Sequence, residues 1–291
     1  MAIRISRRQA LASSGAMMLG GMAPADLKGL ESMSGGRLGF ALLDTGTGQV
    51  TGHRLDERFA MCSTFKLILA GLILQAADRG ELKLDARIPI VKSDLVPHAP
   101  VTAPMVGESL TIRDLARAAQ VTSDNVAANL LLKQLGGPAG FTKRLSATGD
   151  LVTRLDRDEP DLNRVIPPDP RDTTSPRAMA KSAAALLSGK LLRPESRTLL
   201  AGWTIETETG LRRLRAATPP RWKAGNKTGT CGAKGMPNRV NDVAIFWPPK
   251  AAPLVAAAFY EAPGEFSGVR SRDEAVLAQA MQIALPSSYQ I

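Results

Sequence analysis

The chain is poor in aromatic residues, and it has two cysteines and two histidines in 291 residues. Each shortage excludes something. Aromatics make up 4% and the basic residues are scattered, so no basic stripe interleaved with stacking rings exists, and nucleic acid is not an expected partner. The net charge of +10 reads more simply as a modest field favouring small anionic substrates. Two histidines and two cysteines spread far apart make no convincing zinc site, and neither metal nor cofactor is expected. Beyond the N-terminus, no apolar run reaches the roughly eighteen residues that a membrane helix requires. Internal repeats and low-complexity segments are missing too. What is present is an ordinary apolar share of 44%, in a chain long enough to bury a sizeable core as one large domain or two interleaved ones.

Residues 1–25 read as a targeting segment. Arg4, Arg7 and Arg8 precede a mildly apolar stretch from Ala10 to Met22, and Ala23-Pro24-Ala25 offers a small-residue cleavage site. Arg7-Arg8 after Ser6, ahead of a region rich in Gly, Ala and Ser, has the form of a twin-arginine export signal. The expected destination is periplasmic or secreted, with no membrane span in the mature form. An even pair of cysteines in an oxidising compartment invites a disulfide, whereas unpaired cysteines are among the most buried residues; for Cys62 and Cys231 the residues alone leave both open.

After a helical stretch near Asp26 to Met33 come strand-like runs at Arg37 to Asp44 and Gln49 to Arg54, joined by Thr45-Gly46-Thr47-Gly48 as a hairpin. Apolar residues recur at helical spacing from Cys62 to about Arg79, with Gly80 as a C-cap. Further helices are expected at Thr111 to Val121, Val126 to Leu135, Gly140 to Thr148, Ser175 to Leu187 and Pro194 to Trp203. Strand character returns at Trp222 to Thr230, Val240 to Trp247 and Leu254 to Tyr260, before a closing helix opened by Ser271 and Glu274 as a capping box. Strands at both ends with helices between them predict an α+β fold: an antiparallel sheet flanked by helices and built from both termini, with an inserted all-helical domain. The expected division is 26–60 plus 206–291 for the α/β domain and 61–205 for the helical domain. The latter includes the irregular loop 149–176, rich in Asp, Pro and Arg, of a length that usually signals function.

Three short motifs carry chemistry. Ser63-Thr64-Phe65-Lys66 opens the long apolar helix, and a serine and lysine three apart share one face, which sets an amine beside a hydroxyl that needs activation. Ser123-Asp124-Asn125 precedes a second apolar helix, where Ser123 also suits an N-cap. Lys227-Thr228-Gly229 at a strand end presents a cation and a hydroxyl to an anionic group, with Gly229 permitting close backbone approach. With Glu159-Pro160-Asp161-Leu162-Asn163 in the irregular loop, this ordered set resembles the class A serine β-lactamases from about residue 37 to 285.

The resemblance implies attack on a strained cyclic amide, then hydrolysis of the acyl-enzyme. Ser63 is the implied nucleophile, Lys66 accepts or relays its proton, Ser123 hands a proton to the departing nitrogen, and Glu159 with Asn163 holds the hydrolytic water. Whether Lys66 or Glu159 is the base in acylation stays open. The backbone N–H groups of Ser63 and Thr230 would form the oxyanion hole. Asn125 would bind the substrate's side-chain amide, Lys227, Thr228, Gly229, Thr230 and Arg213 its carboxylate end, and His98 would wall the cleft entrance. Asp124 is expected to be structural. An Arg157–Asp172 ion pair would close the loop, and the Glu159–Pro160 peptide would be cis. Members with cysteines at the positions of Cys62 and Cys231 join them and hydrolyse carbapenems as well as penicillins and cephalosporins, so both are expected here. The turn Gly235-Met236-Pro237-Asn238-Arg239 is longer than in many relatives and gives Arg239 a route to the cleft that competes with Arg213. A penicillin-binding DD-peptidase or a non-hydrolytic β-lactam sensor shares the serine and lysine logic, but Glu159 with Asn163 disfavours both. A monomer acting on small molecules is expected.

Overall fold

A computed structural model describes residues 26–232, 235–264 and 268–286; the expected export signal lies outside them. The strands are β1 (Arg37–Asp44), β2 (Val50–His53), β3 (Phe59–Ala60), β4 (Arg87–Pro89), β5 (Ser109–Thr111), β6 (Thr173–Thr174), β7 (Lys223–Cys231), β8 (Asn238–Trp247) and β9 (Leu254–Ala262). The α-helices are α1 (Leu27–Ser34), α2 (Phe65–Asp78), α3 (Ile112–Val121), α4 (Asn125–Leu135), α5 (Gly137–Ser146), α6 (Pro176–Leu187), α7 (Pro194–Glu206) and α8 (Ser271–Ala284).

Five strands form one antiparallel sheet in the order β2-β1-β9-β8-β7, so the chain's two ends meet at the β1–β9 pair. Alternation along each strand covers both faces. Phe40, Leu42, Ala256 and Ala258 pack with Val276, Leu277 and Met281 of α8, while Ala41, Leu43, Val255, Ala257 and Phe259 join the core of the helical layer. Burying an aliphatic side chain of this kind contributes about 1.5–3 kcal/mol. At the centre of the layer α2 is buried from Phe65 to Ala76, so Lys66 has no exposed side to escape to.

Two details place the site. β3 pairs with β6, and Met61 N donates to Asp172 O at 3.1 Å, so the approach to Ser63 is tied to the end of the irregular loop. β7 is an edge strand lying beside the single turn Cys62–Thr64. A Cβ on Gly229 would sit 2.7 Å from Met61 O, so only glycine lets the strand come this close.

One local expectation fails. The closing helix begins at Ser271, but Arg270 is its N-cap and no side chain caps it; Glu274 instead binds Arg212 and Arg213. A tertiary ion pair has taken the carboxylate that a capping box would use.

Candidate active site

Ser63 is half-buried at the entry to α2, directly after Cys62, whose φ of 46° is left-handed. Ser123 (φ 62°) and His98 (φ 62°) share that unfavourable region, which costs on the order of 1–3 kcal/mol per residue. Asp124, not Ser123, caps α4. Its wholly buried carboxylate accepts from Ala127 N at 2.9 Å, Thr102 N at 2.9 Å, Thr102 Oγ1 at 2.7 Å and Val101 N at 3.0 Å. That anchor leaves the Ser123 hydroxyl free to face the site.

There Ser123 Oγ accepts from Lys227 Nζ at 3.0 Å and from Lys66 Nζ at 3.4 Å. Because its lone pairs are engaged, its own proton is available to a third group. Lys66 is fully buried and donates to Ser123 O at 2.8 Å, to Asn125 Oδ1 and to Glu159 Oε1 at 2.9 Å. Burial pushes its ammonium below the usual lysine range, and Glu159 pulls the other way. Lys227 is lowered well below that range, first by burial and then by the charge of Lys66.

Glu159 is buried, with Asp158 beside it exposed, so the two carboxylates face opposite ways. Ser63 Oγ donates to Glu159 Oε1 at 3.3 Å, and Asn163 Nδ2 donates to Glu159 Oε2 at 2.7 Å. Asn163 Oδ1 is buried with no hydrogen-bond partner. An unmet acceptor next to a carboxylate is a place for an O–H donor. The Glu159–Pro160 peptide is cis, as is Pro167–Pro168.

The loop is held from several sides. Arg157 Nε pairs with Asp172 Oδ2, while Asp172 Oδ1 accepts from Asp156 N at 2.7 Å and Arg157 N at 3.0 Å. Asn129 was not singled out from the sequence. It brackets Glu159, its Oδ1 accepting from Glu159 N at 2.9 Å and its Nδ2 donating to Glu159 O at 2.9 Å. Its one sequence signal is that it stands four residues after Asn125 on α4, on the same helical face.

Arg213 is buried and points to the strand end, donating to Thr230 Oγ1 at 2.9 Å, Gly229 O at 3.4 Å and Asn241 O at 2.8 Å. Thr228 Oγ1 lies 3.0 Å from Thr209 Oγ1, and Thr230 is exposed. Beneath this end lies Asp242, another residue sequence reasoning passed over. Burial raises its carboxyl to about 6 despite the charge of Arg213 and a 2.8 Å bond from Asn226 Nδ2. Arg239 does not turn to the cleft. It is 1% exposed, and its guanidinium faces Val165 O, Cys231 Sγ and Glu261. His98 is exposed, its ring Nε2 3.0 Å from Thr122 O, while its carbonyl accepts from Asn125 N at 2.9 Å. His98 and Asn125 thus lie side by side. Cys62 and Cys231 are both free cysteines and lie next to one another, each in the other's immediate electrostatic surroundings.

The arrangement joins a half-buried serine, two buried lysines, a second serine and a carboxylate that reaches the first. The model of the β-lactamase enzyme family matches residues 23–285. The chain belongs to this family. β-Lactamase L2 of Stenotrophomonas maltophilia is 45% identical over 265 residues, 90% of this chain and 84% of that protein. The carbapenem-hydrolyzing β-lactamase KPC of Klebsiella oxytoca is 42% identical over 88% of this chain and 85% of that protein. A solved ancestral class A β-lactamase superposes with a TM-score of 0.83 at 48% identity, covering 88% of this chain and 96% of that one. The crystal structure of L2 with relebactam gives 0.83 at 46%, covering 90% and 95%. This β-lactamase is a class A serine enzyme with the α+β fold of its family, and it opens the β-lactam amide by hydrolysis; the peptidase and sensor alternatives find no support among these relatives. Among the described residues, no helix is long and apolar enough to cross a membrane.

Proposed function

We propose that the site works in two stages. In acylation Ser63 Oγ attacks the ring carbonyl, losing its proton to the Glu159–Lys66 pair; Ser63 Oγ and Lys66 Nζ both meet Glu159 Oε1. The developing oxyanion lies against the backbone N–H groups of Ser63 and Thr230, where each donor contributes about 3 kcal/mol. Lys227, Thr228, Gly229, Thr230 and Arg213 hold the carboxylate end, Asn125 the side-chain amide, and His98 walls the entrance. Ser123 gives its proton to the departing nitrogen and is reprotonated through Lys66 or Lys227, both on its oxygen.

In deacylation a water donates to Glu159 and Asn163 and attacks the acyl carbon on Ser63 Oγ. The observation that carries this reading is Glu159 Oε1 standing 3.3 Å from Ser63 Oγ beside the unmet Asn163 Oδ1. The test is product per enzyme with a chromogenic cephalosporin. Many turnovers are expected; a single stoichiometric burst would sink the two-stage account.

Carbapenems are proposed as substrates beside penicillins and cephalosporins. The support is a relative named as carbapenem-hydrolyzing, together with Arg213 on Thr230 and the convergence of Cys62 with Cys231. Steady turnover of a carbapenem is expected, and a stable acyl-enzyme would refute it. The thiol pair is proposed to close to a disulfide in an oxidising compartment, checked by thiol titration before and after reduction; two titratable thiols in exported protein would refute it. The same reading makes the enzyme a periplasmic or secreted monomer, exported by a twin-arginine-type signal at 1–25 and divided into an α/β domain (26–60, 206–291) and a helical domain (61–205). Processing in a strain lacking twin-arginine export tests the route.

A further inference from the structure

Four residues stand side by side across one face of the sheet at its end: Cys231 on β7, Arg239 on β8, Glu261 on β9 and Arg37 on β1 are successive cross-strand partners. Directly opposed neighbours interact, so the row alternates in charge for a reason. Arg37 Nη1 donates to Glu261 Oε2 at 3.1 Å, and Arg239 Nε stands 3.7 Å from Glu261 Oε1. Arg239 is the most deeply buried charge in the row, at 1% exposed.

The side chain of Arg239 ends against the irregular loop. Its Nη2 donates to Val165 O, and its Nη1 lies 3.8 Å from Cys231 Sγ, which itself lies 3.9 Å from Asn163 O. The row therefore grips the loop at the backbone carbonyl of Val165, two residues after Asn163. Glu159 has its own clamp in Asn129. The Asn163 side chain is fixed through Glu159 Oε2 and Pro160 O. A buried guanidinium stripped of its acceptor is strongly destabilising, so the loop is held down wherever Arg239 stays.

We propose that Arg239 is a positioning residue for deacylation: by holding the Val165 carbonyl against the sheet it sets where Asn163 stands relative to Glu159. This rests on the assignment of Glu159 and Asn163 to the hydrolytic water. Acylation uses Ser63, Lys66, Ser123, Lys227 and the Glu159 carboxylate, whose residue Asn129 anchors independently; Arg239 hydrogen-bonds to none of these, so the two stages separate on substitution. Misplacing a reacting group by about 1 Å costs roughly 100-fold.

The test uses Arg239→Met, Arg239→Lys and Glu261→Gln in the full chain, with thermal unfolding measured on each. Arg239→Met is expected to lower kcat at least about tenfold with KM falling in parallel, so that kcat/KM stays within about threefold, and to accumulate acyl-enzyme by mass spectrometry at steady state. Arg239→Lys, which keeps the charge and a donor, recovers most of kcat, and Glu261→Gln gives a smaller change in the same direction. These two carry the test if the methionine variant does not fold. A fall in kcat/KM as large as the fall in kcat, or an unchanged acyl-enzyme level, overturns the proposal. Glu159→Ala runs in parallel. If it traps acyl-enzyme while the Arg239 variants do not, the positioning role fails alone; if it traps none, the assignment of the water fails first.

Discussion

On one side of Ser63, Lys66, Ser123 and Lys227 sit on α2, at the start of α4 and on β7, each fixed by the hydrogen bonding of its element and by the buried core behind it. On the other side Glu159 and Asn163 sit in a loop whose regular structure amounts to the turn Asp161–Asn163 and the two residues of β6. The first side is held by apolar packing. The second is held by polar clamps: Asp172 on Arg157, Asn129 on Glu159 and Arg239 on Val165. In the two-stage reading proposed above, the groups on the helix side inherit the rigidity of the core, while the groups that hold the hydrolytic water depend on a few buried charges. Damage to the loop should leave a protein that acylates and stalls, and damage to the helix side should stop the reaction at its start.

The strongest break in this contrast is Ser63→Ala. It should lower kcat on the order of 10⁶-fold with no covalent adduct by mass spectrometry, since a nucleophile's removal costs that much in serine hydrolases. A residual adduct would move the nucleophile elsewhere. Next is Asp172→Asn, which keeps the shape but strands Arg157. It is expected to cost about 3–5 kcal/mol in denaturant unfolding and to slow deacylation more than acylation. Equal slowing of both stages would erase the distinction between the two sides.

The smallest effect concerns pH. The Asp242 carboxyl is raised from 3.8 to about 6 by burial. The folded protein therefore holds this proton more tightly than the unfolded chain, and the associated stability is present in full below about pH 4 and lost as pH rises through about 6, a total of roughly 3 kcal/mol. Asp242→Asn should remove that slope, and the difference between the two unfolding profiles isolates this group from the other carboxylates. Parallel profiles would show that Asp242 stays ionised.

The proposed catalytic set was legible through the resemblance to the class A serine β-lactamases, carried by short motifs at the mouths of elements: Ser63 before α2, Ser123 before α4, Lys227 on β7. The sheet was legible from alternation. What escaped were residues whose role depends on a distant partner. Asn129 and Asp242 carry no local pattern, and Arg239 reads as a turn residue with a route to the cleft until Val165 is brought beneath it. β3 and β6, two residues each, are too short to show a period. The Ser271–Glu274 capping box was locally sound and lost to Arg213, because a buried arginine needs a carboxylate more than an exposed helix end does.

The separation of the two stages is tested most directly by Glu159→Ala mixed with a penicillin and followed by mass spectrometry over time. The account predicts stoichiometric acylation of Ser63 and an adduct that persists, with turnover reduced about 100- to 10,000-fold. Turnover at the rate of the unaltered enzyme, or an adduct that clears as fast as it forms, would contradict it.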